Sequence, residues 1–378
     1  MSPASRRSAG GHLAAAAGWA AALALAAAVL AAAGPAHAAG KAPAPWRPGD
    51  PVPSLSRAYQ KDFLLGAAVD AGLVLGSGGE MVRWQFDVIV AENEMKPAAL
   101  SPAPGRYDFA KADAMVDWAN RNGIKVRGHC LVWHRAVVPG MFAQGDLPVS
   151  RGVLIERLRA YIHAVVGHFR GRVWAWDVVN EALVAGEPGV DDGWRRSPWF
   201  EIIGPEYVAL AFQFAHEADP GALLFYNDYE TQNPAKRTLI VDLVRTLKAR
   251  GVPIDGVGHQ AHCTVAHPGP AALEATVQEL ARLGLRNQIT ELDVSLRERH
   301  GGPVPPVTDD LRAAQARRWG DLFQMFRRNA EAIDAVLLWG VNDESSWLAP
   351  PDEPLLFRHF EPKRAFWEVL RAASPGPG

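Results

Sequence analysis

Two carboxylates, Glu181 and Glu291, stand where apolar stretches of the chain end. Residues 173–179 are mostly apolar, aromatic and β-branched, and Asn180 and Glu181 follow them directly. A second stretch of this kind, Gln288-Ile-Thr-Glu291-Leu-Asp293-Val, also ends in carboxylates. Cleavage of a glycosidic bond needs an acid to protonate the leaving oxygen and a second carboxylate to attack or to activate water. The pair permits this chemistry, although acidic residues at the mouth of a barrel do not by themselves specify the reaction.

Strands that are apolar along their length and polar only at their C-terminal ends are typical of a parallel α/β barrel. Their bodies lie in the core and their last residues face a ligand. Asp177, Val179 and Glu181 share one side of an alternating strand, so we expect Glu181 to point into the barrel mouth. A surface charge would explain one such glutamate, but the second strand-end carboxylate favours a functional interpretation.

Eight apolar stretches alternate with helical patterns along the chain. The strands are predicted at residues 63–70, 86–93, 125–133, 173–183, 223–229, 255–262, 288–294 and 335–340. The main helices are predicted at residues 110–122, 149–169, 199–219, 234–250, 271–283, 309–332 and 363–373, with Gly123, Gly251 and Gly284 ending three of them. This order predicts α/β architecture, a single (β/α)8 TIM barrel at residues 55–373, followed by a disordered tail at 374–378. A doubly wound open sheet is the alternative, but no glycine-rich phosphate loop follows the first strand.

The composition describes an ordinary globular protein. The 378 residues carry a formal net charge of −2 and are 48% hydrophobic, so the chain has no global basic field for a nucleic-acid partner. Thirteen tryptophans are many for this length, and several of them neighbour the strand-end polar residues. Those tryptophans fit stacking on sugar faces, while the others are expected in the core.

The N-terminal region is predicted to be a targeting segment. Arg6 and Arg7 precede the apolar run 13–33, and Ala36-His37-Ala38 resembles a small-x-small cleavage site. Residues 1–39 are therefore interpreted as a signal peptide and residues 40–54 as a Pro-rich linker. The mature protein is expected to be secreted or periplasmic, without membrane contact after cleavage. An uncleaved anchor is the alternative, because about 20 apolar residues can span a bilayer.

The two cysteines, Cys130 and Cys263, are predicted to be free and buried. Both fall at ends of predicted strands on opposite sides of the barrel, too far apart for a disulfide. With only two cysteines there is no thiol cluster for structural zinc, and no cofactor is expected.

Six motifs resemble one known family. They are Glu92-Asn-Glu-Met-Lys96, Arg127-Gly-His-Cys-Leu-Val-Trp-His134, Trp176-Asp-Val-Val-Asn-Glu181, Tyr226-Asn-Asp-Tyr229, Ile289-Thr-Glu-Leu-Asp293 and Leu338-Trp-Gly-Val-Asn-Asp343. Together they resemble family-ten glycoside hydrolases, the retaining endo-β-1,4-xylanases. The resemblance covers about residues 55–372 and all eight strands in order, and six motifs in register are far more specific than one.

The resemblance implies a role for each strand-end residue. Glu181 would be the acid/base and Glu291 the nucleophile in the cleavage of internal xylan bonds by a monomeric enzyme. Asn180 would hold the sugar 2-hydroxyl, and His262 would bridge Glu291 and Asp293. The other implied substrate-binding residues are Glu92, Asn93, Lys96, His129, Trp133, Gln260, Trp339 and Trp347.

The chain departs from the family pattern at three places. A short polar segment with a glutamine usually follows Trp-His, where this chain has Arg135–Pro139. In the family, the tryptophan that corresponds to Trp347 is usually followed by arginine, but here it is followed by Leu348. A Leu-Leu-Phe-Asp segment here ends in Arg358. We expect these changes to affect the subsite for the distal glycone sugar and the preferred chain length, and to leave the chemistry intact.

The implied roles require different protonation states of the two carboxyl groups. Glu181 must be protonated to act as an acid, so we expect its pKa to be raised by apolar tryptophans and by the charge of Glu291. Glu291 must stay ionised, and hydrogen bonds from Asn180 and His262 would favour that.

Three other functions are compatible with parts of the pattern. A metal-dependent hydrolase is suggested by His129, His259, His262 and Asp293, but the His-x-His of that class is missing from the first strand. A sugar-binding protein without activity would not need both carboxylates. A β-1,4-glucanase or an exo-acting enzyme could use the same barrel, since the contacts to each sugar's C5 decide between xylan and glucan.

Overall fold

The computed structural model describes residues 51–374 of the chain. The predicted signal peptide, most of the predicted linker and the last four residues of the predicted tail lie outside the described residues. Within residues 51–374, none of the helices is both long and apolar enough to cross a membrane. The end of the predicted linker lies against the barrel, because Val52 and Pro53 accept hydrogen bonds from Trp84 and Gln85.

Eight parallel strands form a closed ring. They are Leu64–Val69, Val88–Ala91, Lys125–Val132, Ala175–Asn180, Leu223–Asp228, Gly256–His259, Arg286–Ser295 and Ile333–Leu338. Each strand pairs with the next along the chain, and the eighth pairs with both the seventh and the first, which closes the barrel. The predicted (β/α)8 barrel is therefore confirmed. Closure leaves no unpaired sheet edge and brings all eight C-terminal strand ends to one face.

Twelve helices surround or cap the barrel within the described residues. They are Leu55–Tyr59, Ala71–Leu75, Gly79–Gln85, Pro97–Leu100, Ala110–Arg121, Arg151–His168, Pro198–Ile203, Tyr207–Ala218, Pro234–Ala249, Pro270–Arg282, Asp309–Arg328 and Arg364–Ala372. Short antiparallel pairs join Ala143–Gln144 to Leu147–Pro148 and Phe357–Arg358 to Glu361–Pro362.

Local sequence signals fix where these helices begin and end. Ser150 and Thr308 accept hydrogen bonds from backbone amides in the first turns of the helices that follow them. The predicted stops Gly123, Gly251 and Gly284 all have positive φ, between 67° and 73°. This left-handed conformation ends a helix at little cost only for glycine.

One predicted helix is two helices in the structure. The pattern at residues 199–219 was expected to be continuous, but Pro198–Ile203 and Tyr207–Ala218 are separate. Gly204 between them has a φ of +87°, and Pro205 follows it. A left-handed residue followed by a proline interrupts the helical hydrogen bonds, so the prediction of one helix was wrong.

The sixth strand is also shorter than predicted. It ends at His259, and Ala261 has a φ of +55° that breaks the alternation. A short strand, His262–Thr264, then pairs with the end of the seventh strand. His259 is buried against Thr231 and Asn287, whereas Gln260 and His262 reach the cavity at the barrel mouth.

The core lies both inside the barrel and between the barrel and its helices. Trp176 and Trp319 are fully buried there, as expected for part of the tryptophan set. A Cβ atom on Gly128 would lie 2.2 Å from the Trp176 ring, so this indole needs a glycine on the third strand. Cys130 and Cys263 are free and buried, and the prediction of unbridged thiols is confirmed.

Candidate active site

A cavity of about 430 Å³ opens at the C-terminal ends of the strands. Residues from seven of the eight strand ends or the loops that follow them line it. They are Glu92, Lys96, His129, Trp133, His134, Arg135, Asn180, Glu181, Arg195, Tyr229, Glu230, Gln260, His262, Glu291, His300, Trp339 and Trp347. The structure therefore brings together both predicted carboxylates and most of the predicted binding residues.

Glu181 reaches the cavity by a different route from the one the alternation suggested. The fourth strand is irregular between Asp177 and Val179, and Glu181 itself has a φ of +58°. The expectation that Glu181 points into the barrel mouth is confirmed, but the regular alternation from which it was inferred is broken before Glu181. A left-handed backbone in a residue other than glycine, asparagine or aspartate is uncommon, and such residues tend to cluster at functional sites.

Neutral donors hold the Glu181 carboxyl group, and the longest of their hydrogen bonds comes from Asn180 Nδ2 at 3.4 Å. Trp133 Nε1 donates to Oε2 at 3.0 Å, and Gln260 Nε2 donates to Oε1 at 3.0 Å. Burial would raise the pKa of Glu181, but these hydrogen bonds, together with His134 and the positive charge of Arg195, outweigh burial and lower it. The expected rise in the Glu181 pKa is therefore contradicted, because Trp133 acts as a donor as well as an apolar neighbour.

Glu291 is buried on the seventh strand and has its own donors. Asn227 Nδ2 donates to Oε1 at 2.8 Å, and His262 Nε2 lies 3.2 Å from Oε2. The amide of Asn180 was expected to make this bond to Glu291 and does not. It lies 3.0 Å from Asn227 Nδ2 and 3.2 Å from Gln260 Nε2. The amides of Asn227, Asn180 and Gln260 thus connect the two carboxyl groups.

His262 lies between Glu291 and Asp293. Its Nδ1 is 2.8 Å from Asp293 Oδ2, which also accepts a hydrogen bond from Trp347 Nε1 at 2.8 Å. Burial disfavours the imidazolium, but the charges and hydrogen bonds of the two carboxylates outweigh burial and raise the pKa of His262 to about 10. The ring is therefore a cation at neutral pH that both carboxylates share.

A buried ionic group supports the floor of the cavity. Asp177 is fully buried, accepts two hydrogen bonds from Arg127 and lies 2.8 Å from His129 Nδ1. Burial would raise the pKa of Asp177, but Arg127 and His129 lower it. Because Asp177 holds Nδ1, the orientation of the His129 ring is fixed and its other edge faces the cavity.

The end of the second strand contributes Glu92 and Lys96 to the cavity, while Asn93 lies outside its walls. Asn93 faces a neighbouring depression and contacts the site through Lys96, whose Nζ donates to Asn93 Oδ1 at 2.9 Å, and through a hydrogen bond to Glu92. Lys96 Nζ also lies 5.5 Å from the centre of the Trp133 ring. Burial raises the pKa of Glu92.

The two expected tryptophan walls differ in exposure. Trp339 is 7% exposed and packs edge-on against His129, whereas Trp347 is 52% exposed. Such an exposed indole offers a free face to a sugar ring. Of the departures from the family pattern, Arg135 lines the cavity, and Arg358 forms an ion pair with Glu353 away from it.

Several residues of the site were not predicted from the sequence. Asn227 is the most important: it is buried and does not line the cavity, but it holds Glu291 from within the Tyr226-Asn-Asp-Tyr229 motif. That motif was the signal that could have identified it. The others are His134, Arg135, Arg195, Tyr229, Glu230 and His300. His134 and Tyr229 stand in two of the six motifs, whereas the other four lie in loops without a strand signature.

The histidines that suggested a metal site have other partners. His129 contacts Asp177, His259 contacts Thr231 and Asn287, and His262 contacts both Glu291 and Asp293. Within the part of the chain that the structure describes, no group of three or more His, Cys, Asp or Glu side chains is placed to hold a metal ion.

The sequence profile of Glycosyl hydrolase family 10 matches residues 54–372. The chain belongs to this family. The match spans the whole described barrel, from its first helix to its last. The family assignment that the six motifs suggested is therefore confirmed.

The relatives include proteins named as a xylanase and as a celloxylanase. A beta-1,4-xylanase of Dictyoglomus thermophilum is 40% identical over 334 residues, which are 85% of this chain and 92% of the relative. A thermostable celloxylanase of Thermoclostridium stercorarium is 38% identical over 343 residues, 84% of this chain and 87% of the relative.

A solved structure shares the fold of this family 10 chain. It is an intracellular xylanase of Thermoanaerobacterium saccharolyticum, a mutant in complex with xylotriose. It superposes with a TM-score of 0.78 at 37% identity, covering 84% of this chain and 98% of the other. An identity this high supports residue-level comparison of the two barrels as well as a shared fold.

Proposed function

We propose that this family 10 chain is an endo-acting, retaining β-1,4-xylanase. The observation that carries the proposal is the placement of Glu181 and Glu291 in one cavity with different donors. Neutral donors hold Glu181, and an imidazolium and an amide hold Glu291. The names of the relatives and the xylotriose complex of the similar structure support xylan as the substrate.

In the first half of the proposed reaction, Glu291 attacks the anomeric carbon while Glu181 gives its proton to the leaving oxygen. The glycosidic bond breaks and an ester bond to Glu291 forms. In the second half, Glu181 removes a proton from water, whose oxygen attacks the anomeric carbon. The ester bond breaks, Glu291 is released as a carboxylate, and the sugar retains its β configuration.

The pKa of Glu181 is lowered, and the proposed cycle requires the bound substrate to raise it. A bound sugar displaces water from around the Glu181 carboxyl group, and this loss of water favours the neutral, protonated acid. Once Glu291 is esterified, its negative charge is gone, and the pKa of Glu181 falls again as a base requires. The imidazolium of His262 stabilises the carboxylate that Glu291 becomes when the ester breaks.

The choice between xylan and glucan is tested by product analysis on xylan and on carboxymethyl cellulose. Lys96, Trp339 and Trp347 line the cavity, and we expect these side chains to contact C5 of each sugar, which carries an extra hydroxymethyl group in glucan. One such group changes kcat/KM by roughly 10–200-fold, so we expect xylan to be preferred by that factor. Internal cleavage should give a mixture of xylo-oligosaccharides.

Nuclear magnetic resonance of the first product separates the mechanisms, since retention gives the β anomer before mutarotation. An α product would contradict double displacement. A preference for carboxymethyl cellulose would favour a glucanase, to which the name of the celloxylanase relative points. No activity on either polymer would contradict the proposed function and favour a sugar-binding protein without activity.

We also propose that the chain is exported and works as a secreted or periplasmic monomer. The export part of this proposal rests on the charged and apolar segments of residues 1–38 alone. The similar solved structure does not support it, since that protein is an intracellular enzyme. N-terminal sequencing of exported protein should find a start near Ala39. Intact residues 13–33 in a membrane fraction would indicate an anchor instead.

A further inference from the structure

The backbone of the segment that carries Glu181 is held by its own hydrogen bonds, separate from those to the Glu181 carboxyl group. Glu181 is left-handed at φ +58°, and its backbone N–H donates to Asn227 O at 2.9 Å. Its carbonyl accepts a hydrogen bond from Arg195 Nε at 2.7 Å. The backbone N–H of Arg195 also donates to Ala182 O at 2.9 Å. Arg195 therefore contacts both the unusual residue and the one after it.

Arg195 is itself fixed at a second point. Its Nη2 donates to Tyr229 Oη at 2.7 Å, and the Tyr229 ring lies 4.1 Å from the buried ammonium of Lys236. Lys236 Nζ pairs with Asp228 at 2.9 Å and donates to Leu183 O at 2.8 Å. Two cations thus hold the carbonyls at the two ends of the segment Glu181–Leu183.

The charge of Arg195 also acts on the Glu181 side chain. Among residues 51–374, its guanidinium forms no ion pair with a carboxylate within 4 Å, and it lines the cavity. His134 lies 3.8 Å from Glu181 Oε2, but burial, followed by the charge of Arg195, lowers the pKa of His134 to about 4. Above that pH His134 is neutral, and Arg195 is the permanent cation beside the acid.

We propose that Arg195 is the positioning residue of the acid/base Glu181, holding its left-handed backbone and setting the positive charge beside its carboxyl. This inference rests on the proposed role of Glu181. It assigns Arg195 no contact with the reacting atoms. Loss of Arg195 should therefore impair the steps that need Glu181 in place and spare the attack by Glu291.

The test compares Arg195→Met with Arg196→Met, a matched control. The neighbouring Arg196 pairs with Asp192 at 3.0 Å and lies over Phe200, outside the cavity lining. A series of aryl xylobiosides with leaving groups of increasing pKa is used. Arg195→Met should lose about 100-fold in kcat/KM on the poorest leaving groups, the scale of a displaced catalytic group. It should lose less than about fivefold on a dinitrophenyl substrate, whose departure needs no proton.

The pH profile gives a second readout that a purely structural role would not move. The groups that face Glu181 are His134 after the third strand, Arg195 after the fourth, Asp228 on the fifth and Glu291 across the cavity. Removal of a cation raises the pKa of Glu181, so the alkaline limb of kcat/KM should move to higher pH in Arg195→Met. Arg195→Lys keeps the charge and should keep the limb close to its original pH.

An equal loss on all leaving groups with an unmoved alkaline limb would overturn the inference. If Arg195→Met does not fold, Tyr229→Phe removes only the second anchor of Arg195. It should then give a smaller loss that still grows with leaving-group pKa. If Glu181→Ala itself shows no dependence on the leaving group, the proposed function fails. If Glu181→Ala shows it and Arg195→Met does not, only the role of Arg195 fails.

Discussion

Glu291→Ala should abolish hydrolysis of every substrate, whether or not the leaving group needs a proton. Without this carboxylate no glycosyl ester can form, and a loss on the order of 10⁶-fold in kcat is the scale found when a covalent nucleophile is removed. The measurement is the initial rate on xylan and on a dinitrophenyl xylobioside. Similar losses on both substrates are the signature expected of a nucleophile.

Glu291→Gln is the matched control for changes of shape, because it keeps the volume and removes the nucleophilic carboxylate. It should be as inactive as the alanine variant. Both variants leave the imidazolium of His262 with Asp293 as its remaining carboxylate partner, so melting temperatures must be compared to show that the barrel is intact. Addition of azide to Glu291→Ala should give an α-glycosyl azide from activated substrates, since the small anion enters where Glu291 was.

Most of the fold could be predicted because each element carries a local signal. Glycines with positive φ end the helices where the sequence places them, and the strands are continuous apolar runs. The errors arose where the backbone leaves ordinary conformations within an apolar pattern. Gly204 with Pro205 divides a helix, and the left-handed Ala261 divides the sixth strand. Only the Gly-Pro pair was visible as a signal, because alanine has no preference for a positive φ.

The site was less predictable than the fold, because its electrostatics depend on donors from several strands. The sequence identified Glu181 and its burial, which alone would raise its pKa. Trp133 follows the third strand and Gln260 follows the sixth, and only their three-dimensional approach reveals that both donate to Glu181. In the same way, nothing local distinguishes Asn227 from Asn180 as the donor to Glu291.

Glu181→Ala should instead lose more activity on substrates whose leaving group needs a proton than on substrates whose leaving group does not. Xylan, whose leaving group is a sugar hydroxyl, should lose roughly 10²–10⁴-fold, the usual contribution of general acid–base catalysis. A dinitrophenyl xylobioside should still glycosylate Glu291 rapidly. The intermediate should then accumulate, because no base remains to activate water, and a burst of dinitrophenol followed by a slow steady state should be seen.

Azide then distinguishes the two carboxylates by the configuration of the product. It needs no base, so it should attack the intermediate of Glu181→Ala and restore turnover as a β-glycosyl azide, the result of two inversions at one carbon. The geometry favours this assignment, since Glu181 is held by neutral donors and Glu291 by the imidazolium of His262. A β-azide from Glu291→Ala, with Glu181→Ala inactive under the same conditions, would reverse the two roles. The donors around each carboxyl would then have to be explained by the opposite chemistry.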